Sequence, residues 1–414
     1  MEELLQGFPV ALKQVLVGGG RGVFAKRAVK SGEIILRSAP AGVSVHRKHY
    51  PLLCLSCLKF SEDIDQIFPH GCEACQTVYY CSEQCKKNDY PLHFAHCELL
   101  HSVEVDKDLK KEETSLVRLL FRMLARSSYA KLTAKKRACS GAEAEGENEE
   151  IGKISVPPAC VRHVELMMED NRLIAGYKRR KRQRLTAAKA FVKLLRTTSA
   201  NAKSDSSDGC AASGRQLLPL VEQLTLCPSF QNVRRVERLL ASGPLNEFAL
   251  WDLEEEACGS GFFPGAGLIN HSCIPSSAVQ LEGTDLCFYA TTDIEEGEEI
   301  TQSYANLNGD GRLSRQENLM TSWGFVCKCI RCEYENYVKS NTGTIPNSVT
   351  KTQKIIEKFD RLHVCNCGGI SCPLDRRGSR SVAPSHSCVG GEKTESPECD
   401  CNCYNLLRRS SAEV

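Results

Sequence analysis

An excess of charge of one sign is missing from this chain: 53 Lys and Arg face 51 Asp and Glu, a formal net charge of +2. So even a balance supplies no general field for a polyanion or a membrane surface, and any electrostatic role has to be local. Long apolar runs are missing too. No stretch approaches the roughly 18 residues that a membrane span needs, and Met1 to Gly20 is interrupted by Pro9 and Lys13, which argues against a leader peptide. We therefore expect a soluble chain that is not secreted and does not enter a membrane. Aromatics are sparse, at 7 %, and none form a stripe interleaved with basic residues, which counts against direct nucleic-acid binding. No internal repeat is visible.

Cysteine is abundant, at 24 residues. Reducing compartments keep thiols free, and clustered cysteines there serve metal more often than disulfides. The spacing agrees. Cys54/Cys57, Cys72/Cys75, Cys81/Cys85 and His93/Cys97 form four pairs, each able to present two soft donors from one turn of chain. Eight such ligands satisfy two tetrahedral zinc ions and leave no open position for catalysis, so both ions are expected to be structural. His96 is the alternative to His93, although its adjacency to Cys97 would strain one tetrahedron. The stretch is poor in aliphatic residues, and bound metal is expected to supply most of its folding free energy. Farther on, Cys327, Cys329 and Cys332 stop one ligand short of a closed site, and the segment Asn270-His271-Ser272-Cys273 offers a fourth cysteine.

Around these clusters, residues 15 to 45 alternate apolar and polar side chains with glycine punctuation, which predicts short strands and tight turns. Leu116, Leu119, Leu120, Met123 and Leu124 recur at helical spacing and predict a helix over 113–132, with similar patterns at 161–174, 187–195 and 217–240. Two stretches rich in Gly, Ala, Ser and acids, 141–150 and 199–214, are expected to be mobile insertions. Residues 245 to 305 return to a strand pattern with a turn at Glu295-Glu296-Gly297. After Cys332 there is one candidate helix around 355–362, and Cys365, Cys367, Cys372, Cys388, Cys399, Cys401 and Cys403 form no recognisable pairs. A disordered tail with free thiols is expected, zinc binding there being the alternative.

Read in order, Gly18 to Ala25 (Gly-Gly-Gly-Arg-Gly-Val-Phe-Ala), Gly32-Glu33, the paired cysteines, a helical insert, Leu245 to Leu250, Asn270 to Cys273, Gly297 to Tyr304 and Trp323 to Cys332 resemble one family. It is the SMYD type of protein-lysine methyltransferase, a SET domain carrying a MYND zinc finger, and the likeness extends over roughly residues 10 to 335. The resemblance implies an α+β fold that is mainly β: small curved sheets with a pseudoknot-like C-terminal crossing. The parts would be the N-terminal SET segment at 8–50, the MYND finger at 54–97, a helical insert at 98–240, the core SET segment at 241–306, a zinc-binding post-SET segment at 307–335 and a cysteine-containing tail at 336–414. It also implies three zinc ions. The first would be held by Cys54, Cys57, Cys81 and Cys85, the second by Cys72, Cys75, His93 and Cys97, and the third by Cys273, Cys327, Cys329 and Cys332.

The cofactor implied is S-adenosylmethionine. By the resemblance, the loop with Gly18, Gly20, Arg21 and Gly22 meets its methionine part, Asn246, Gly267, Asn270 and His271 hold it, and Phe325 packs on the adenine. Tyr304 matches the catalytic tyrosine. Methyl transfer to lysine is an in-line displacement, so the amine has to arrive neutral although its ordinary pKa is about 10.4. A dry aromatic channel lowers that value, and a phenol can align the methyl through weak C–H···O contacts rather than act as a base. Two departures stand out: Gly19 replaces a lysine of close relatives, and Trp323 replaces a tyrosine or other aromatic.

Protein substrates with a target lysine, histone tails or others, are expected, together with proline-rich peptides at the MYND finger. The rival reading is a non-catalytic adaptor. Lys178, Arg179, Arg180, Lys181, Arg182 and Arg184 read as a nuclear import signal, an acidic-partner patch or a solvated helix face, and nucleus and cytoplasm are the expected locations. The acids Glu254, Glu255, Glu256, Glu295, Glu296, Glu298 and Glu299 read as favouring a basic peptide or as solvated surface.

Overall fold

A computed structural model describes residues 1–15, 20–63, 65–140, 158–169, 181–204, 227–251, 257–304 and 311–340, with residues 353 and 356 beyond them. Gly18 and Gly19, the expected insertion at 141–150, most of that at 199–214, Lys178 to Arg180, Glu254 to Glu256, most of the candidate helix around 355–362 and the tail cysteines lie outside these residues.

Among the described residues ten strands follow one another as β1 (Val10–Gln14), β2 (Arg21–Ala25), β3 (Ile34–Ser38), β4 (Gly42–Val45), β5 (Glu247–Trp251), β6 (Ala257–Phe262), β7 (Asn270–His271), β8 (Ser277–Glu282), β9 (Asp285–Ala290) and β10 (Glu299–Gln302). They build three small sheets, ordered β1-β2-β10-β7, β3-β9-β8 and β4-β6-β5. The first sheet positions the site. Its strand β10 runs antiparallel to β2, with Glu299 opposite Phe24 and Ile300 opposite Val23, and parallel to β7, with Thr301 opposite Asn270 and Gln302 opposite His271. A parallel neighbour cannot be reached by a tight turn, and here the β8–β9 hairpin forms part of the connection. Residues 21–24, 270–271 and 299–304 are thereby drawn together. Val23, Ile269 and Ile300 hold that sheet on a core shared with Val10, Ile35, Leu36, Phe263 and Phe288.

The helices are α1 (Glu83–Val105), α2 (Lys111–Ser140), α3 (Pro158–Glu169), α4 (Lys181–Ser204), α5 (Val233–Ala241), α6 (Gly243–Asn246), α7 (Arg312–Trp323) and α8 (Ile330–Ser340). Ser82 starts α1: its hydroxyl accepts the Cys85 amide at 3.1 Å, satisfying one of the open donors of the first turn. The cysteine-rich stretch is too short of aliphatic residues for a core of its own, and the structure shows what supplements the metal. Leu53, Leu55, Leu58, Val78 and Tyr80 pack into one core with Leu99, Leu100 and Val103 of α1 and Leu119, Leu120 and Leu124 of α2.

Two buried ion pairs tie the same elements. Arg122 donates to both Asp89 oxygens at 3.2 and 2.9 Å while Tyr80 donates to Asp89 at 2.9 Å. Arg118 donates to Glu104 at 3.0 Å, lies 4.2 Å from the Tyr50 ring centroid, and shares Glu104 with the Tyr50 hydroxyl at 2.6 Å. Among the described residues no helix is long and apolar enough to cross a membrane.

Candidate functional site

Three groups of four ligand atoms stand together: Cys54, Cys57, Cys81 and Cys85; Cys72, Cys75, His93 and Cys97; and Cys273, Cys327, Cys329 and Cys332, each with all ligand atoms within 4.8 Å. A tetrahedral zinc with Zn–S near 2.3 Å has sulfur–sulfur edges of about 3.8 Å. The observed edges match. Cys57–Cys81 is 3.7 Å and Cys81–Cys85 3.6 Å in the first group, Cys72–Cys97 3.6 Å in the second, and Cys273–Cys332 3.6 Å and Cys273–Cys327 3.9 Å in the third. All are far too long for a disulfide of about 2.05 Å, and these thiols are free. Soft donors, four per group and no fifth among the described residues, fit closed structural zinc.

The choice between the two histidines falls on His93, whose Nε2 stands 3.7 Å from Cys75 Sγ. It shares one face of α1 with Cys97, four residues on. His96 is turned away. Its Nδ1 binds the Leu92 carbonyl, and burial, reinforced by Arg122 and His93, holds its pKa well below the usual histidine value.

The third group abuts the aromatic cluster. Cys273 lies two residues beyond β7, and Gln316 of α7 pins Cys327 with two hydrogen bonds, donating to its carbonyl at 2.7 Å and accepting its amide at 2.8 Å. Arg315, 1 % exposed, donates to Glu335 at 2.5 Å and stands 3.9 Å from Cys332 Sγ. His271 joins this group to the tyrosine. Its Nδ1 accepts the Tyr304 backbone amide at 2.9 Å, so the proton of the neutral ring sits on Nε2, which faces Cys273 Sγ at 3.3 Å. Burial pushes His271 down to about 4, against the pull of Cys329 and with the help of Arg315.

Tyr304 donates its hydroxyl to the Ile269 carbonyl at 2.7 Å. Gln302 donates to the same carbonyl and to that of Ala266, each at 3.1 Å, and so fixes the turn that aims it. Three rings enclose the phenol: His271 and Trp323 with centroids at 5.4 Å, and Phe325 at 6.3 Å, edge-on. Burial, then the Glu299 charge, raises the Tyr304 pKa above the ordinary phenol value, so the group is an un-ionised donor.

A polar seat adjoins β7. Asn270 Nδ2 donates to the Arg21 carbonyl and to Glu299 Oε1, both at 2.8 Å. A Cβ on Gly22 would collide with that Glu299 oxygen and stand 3.0 Å from Asn270 Nδ2, so a side chain there would displace the Glu299 carboxylate. A Cβ on Gly267 would collide with Asn246 Oδ1 and stand 2.5 Å from the Leu245 carbonyl, a second place where chain meets chain without room for a side chain. Asn246 is held in turn by the Ser242 carbonyl, 3.0 Å from Nδ2.

The structure thus brings Arg21, Gly22 and Asn270 together, sets Gly267 on Asn246, and clusters His271, Tyr304, Phe325 and Cys273. At Gly20 a Cβ would meet no protein atom within 4 Å, so the crowding by Glu299 is particular to Gly22. Glu299 departs from its reading as a peptide-facing or surface acid, because its carboxylate is bonded to Asn270 inside the seat. Gln302, Arg315 and Gln316 were not foreseen at all. Strand alternation from Ile300 puts Gln302 on the buried face, which was a usable signal; nothing local marked the other two.

A family comparison agrees with this geometry: the SET domain model matches residues 20–305. Among curated relatives the chain is 24 % identical to the histone-lysine N-methyltransferase ASHR1 of Arabidopsis thaliana, over 76 % of this chain and 53 % of that protein. It is 24 % identical to the histone-lysine N-methyltransferase SMYD3 of Homo sapiens, over 77 % and 60 %, and 25 % identical to the N-lysine methyltransferase SMYD2 of Mus musculus, over 83 % and 67 %. The chain spans between half and two thirds of the length of these relatives. With β10 inserted between β2 and β7 in its first sheet and residues 327–332 gathered on Cys273 in a four-cysteine cluster, the chain belongs to the SET domain family.

Proposed function

We propose that this chain is an S-adenosylmethionine-dependent protein-lysine N-methyltransferase acting on histones or other proteins. The observation that carries the reading is Tyr304: an un-ionised phenol bonded to the Ile269 carbonyl, enclosed by His271, Trp323 and Phe325, in a fold whose relatives are named lysine methyltransferases. Bound S-adenosylmethionine supplies an electrophilic methyl on a positively charged sulfur.

The chain's own residues provide the rest. Gly22, Asn270 and the Arg21 carbonyl form the polar seat for the amino-acid end, Gly267 and Asn246 are further contacts implied by the family resemblance, and Phe325 is the ring for the base. The aromatic enclosure excludes water and favours a neutral lysine amine, whose proton leaves to solvent because Tyr304 is no base. The phenol and the Ile269 carbonyl are oxygen acceptors placed to orient a polarised methyl. The three four-ligand clusters would hold structural zinc, and the third, through Cys327, would tie Trp323 and Phe325 to the site. A nuclear and cytoplasmic location, and proline-rich peptides as partners of the zinc module, belong to the same proposal.

The test is purified chain with methyl-labelled S-adenosylmethionine, offered histones and then cell extract. Label is expected on a lysine side chain. Binding of neither donor nor product, together with no label on any protein, would leave the adaptor reading in its place.

A further inference from the structure

We infer that Glu299 is a positioning residue of the donor seat, whose carboxylate holds the Asn270 amide with its oxygen turned toward the ammonium group of the bound ligand. This inference rests on the methyltransferase reading above.

An asparagine side chain has two N–H donors on one side and a carbonyl acceptor on the other, and which side faces a ligand depends on what holds it. Here Asn270 Nδ2 has two acceptors, the Arg21 carbonyl and Glu299 Oε1, each at 2.8 Å. Turned the other way, the amide would press its oxygen against a carbonyl oxygen and a carboxylate, and both hydrogen bonds would become repulsions. The orientation is therefore fixed, and Oδ1 is left as an acceptor suited to a cation.

Glu299 is itself held in place. It sits on β10 opposite Phe24 of β2, while Thr301, two residues on, is opposite Asn270 of β7. Its carboxylate fills the space where a Cβ of residue 22 would stand, so the glycine of the opening loop leaves the acid room to reach Asn270. The negative charge also reaches Tyr304, where it favours the un-ionised phenol.

The test is calorimetric titration of S-adenosylhomocysteine, the demethylated product, into wild type, Glu299→Ala, Glu299→Gln, Asn270→Ala and the Glu299→Ala/Asn270→Ala double variant. Loss of a hydrogen bond to a charged group predicts binding weakened about tenfold to a hundredfold in Glu299→Ala. Glu299→Gln, whose amide oxygen can still accept from Asn270, is expected to recover most of that loss. On the Asn270→Ala background the second change should add nothing, as for two residues acting through one contact. Zinc content and ligand-free melting temperature should stay near wild type, which separates positioning from folding. Wild-type affinity in Glu299→Ala, or losses that add in the double variant, would overturn the inference alone. No binding by wild type would overturn the donor reading and this inference with it.

Discussion

Replacing Cys273 with alanine tests the link between the third metal cluster and the donor seat. Cys273 is fully buried, with Sγ 3.6 Å from Cys332 and 3.9 Å from Cys327, and it faces the His271 Nε2 proton at 3.3 Å. Structural zinc contributes about 10–16 kcal/mol through four ligands, so one ligand carries roughly 3–4 kcal/mol, or about a hundredfold to a thousandfold in metal affinity. The other two clusters share no ligand with this one. Wild type should hold three zinc ions against a chromophoric chelator at concentrations where Cys273→Ala holds two. His271 then loses its sulfur partner, Trp323 and Phe325 lose the anchor that keeps them on Tyr304, and S-adenosylhomocysteine binding should weaken in parallel. Chelator resistance equal to wild type would refute the ligand assignment, and loss of one zinc with unchanged ligand binding would refute the coupling.

Asp89→Ala leaves Arg122 and Tyr80 buried without their shared acceptor; the expected cost is about 3–5 kcal/mol in urea unfolding, and a cost under about 1 kcal/mol would contradict a desolvated pair. His163 is buried, and burial first, then the chain's N-terminal charge and Arg21, lowers it from 6.5 to about 4. Its folded-state pKa lies below the unfolded one, so the unfolded chain binds the extra proton. Stability is whole above pH 6.5 and is lost as pH falls toward about 4, by at most about 3 kcal/mol. His163→Gln should flatten that part of the stability–pH curve, and an unchanged slope would remove this histidine from the account. Gly267→Ala forces a Cβ against Asn246 and the Leu245 carbonyl, and we expect about 1–3 kcal/mol of destabilisation with weakened ligand binding; a variant indistinguishable from wild type would show that this contact gives way freely.

Much of the site could be read from residue order because its parts are local. Soft ligands in pairs two to four residues apart announce metal whatever surrounds them, and Asn270 to Cys273 carries three site residues, Asn270, His271 and Cys273, within four positions. What escaped were relations between distant segments. Helix α1 runs unbroken from Glu83 to Val105, yet Cys85, His93 and Cys97 interrupt the apolar rhythm by which a helix is recognised. Arg118 and Arg122 look like solvated positions until Glu104 and Asp89 are seen beneath them. Glu299 stands in a run of acids that reads as surface, and only the pairing of β10 with β2 and β7 turns it into the seat. Gly20 and Gly22 are alike in sequence, but the carboxylate of Glu299 crowds only Gly22.

In the proposed reaction one phenol, set by the Ile269 carbonyl and an aromatic enclosure, serves methyl transfer without holding the fold together. Tyr304→Phe removes only the hydroxyl and its 2.7 Å hydrogen bond, so the measurement is single-turnover transfer of labelled methyl to a lysine substrate, with S-adenosylhomocysteine affinity determined on the same protein. We predict transfer reduced by about a hundredfold to a thousandfold, with affinity and zinc content close to wild type. Equal transfer rates in the two proteins would contradict the account.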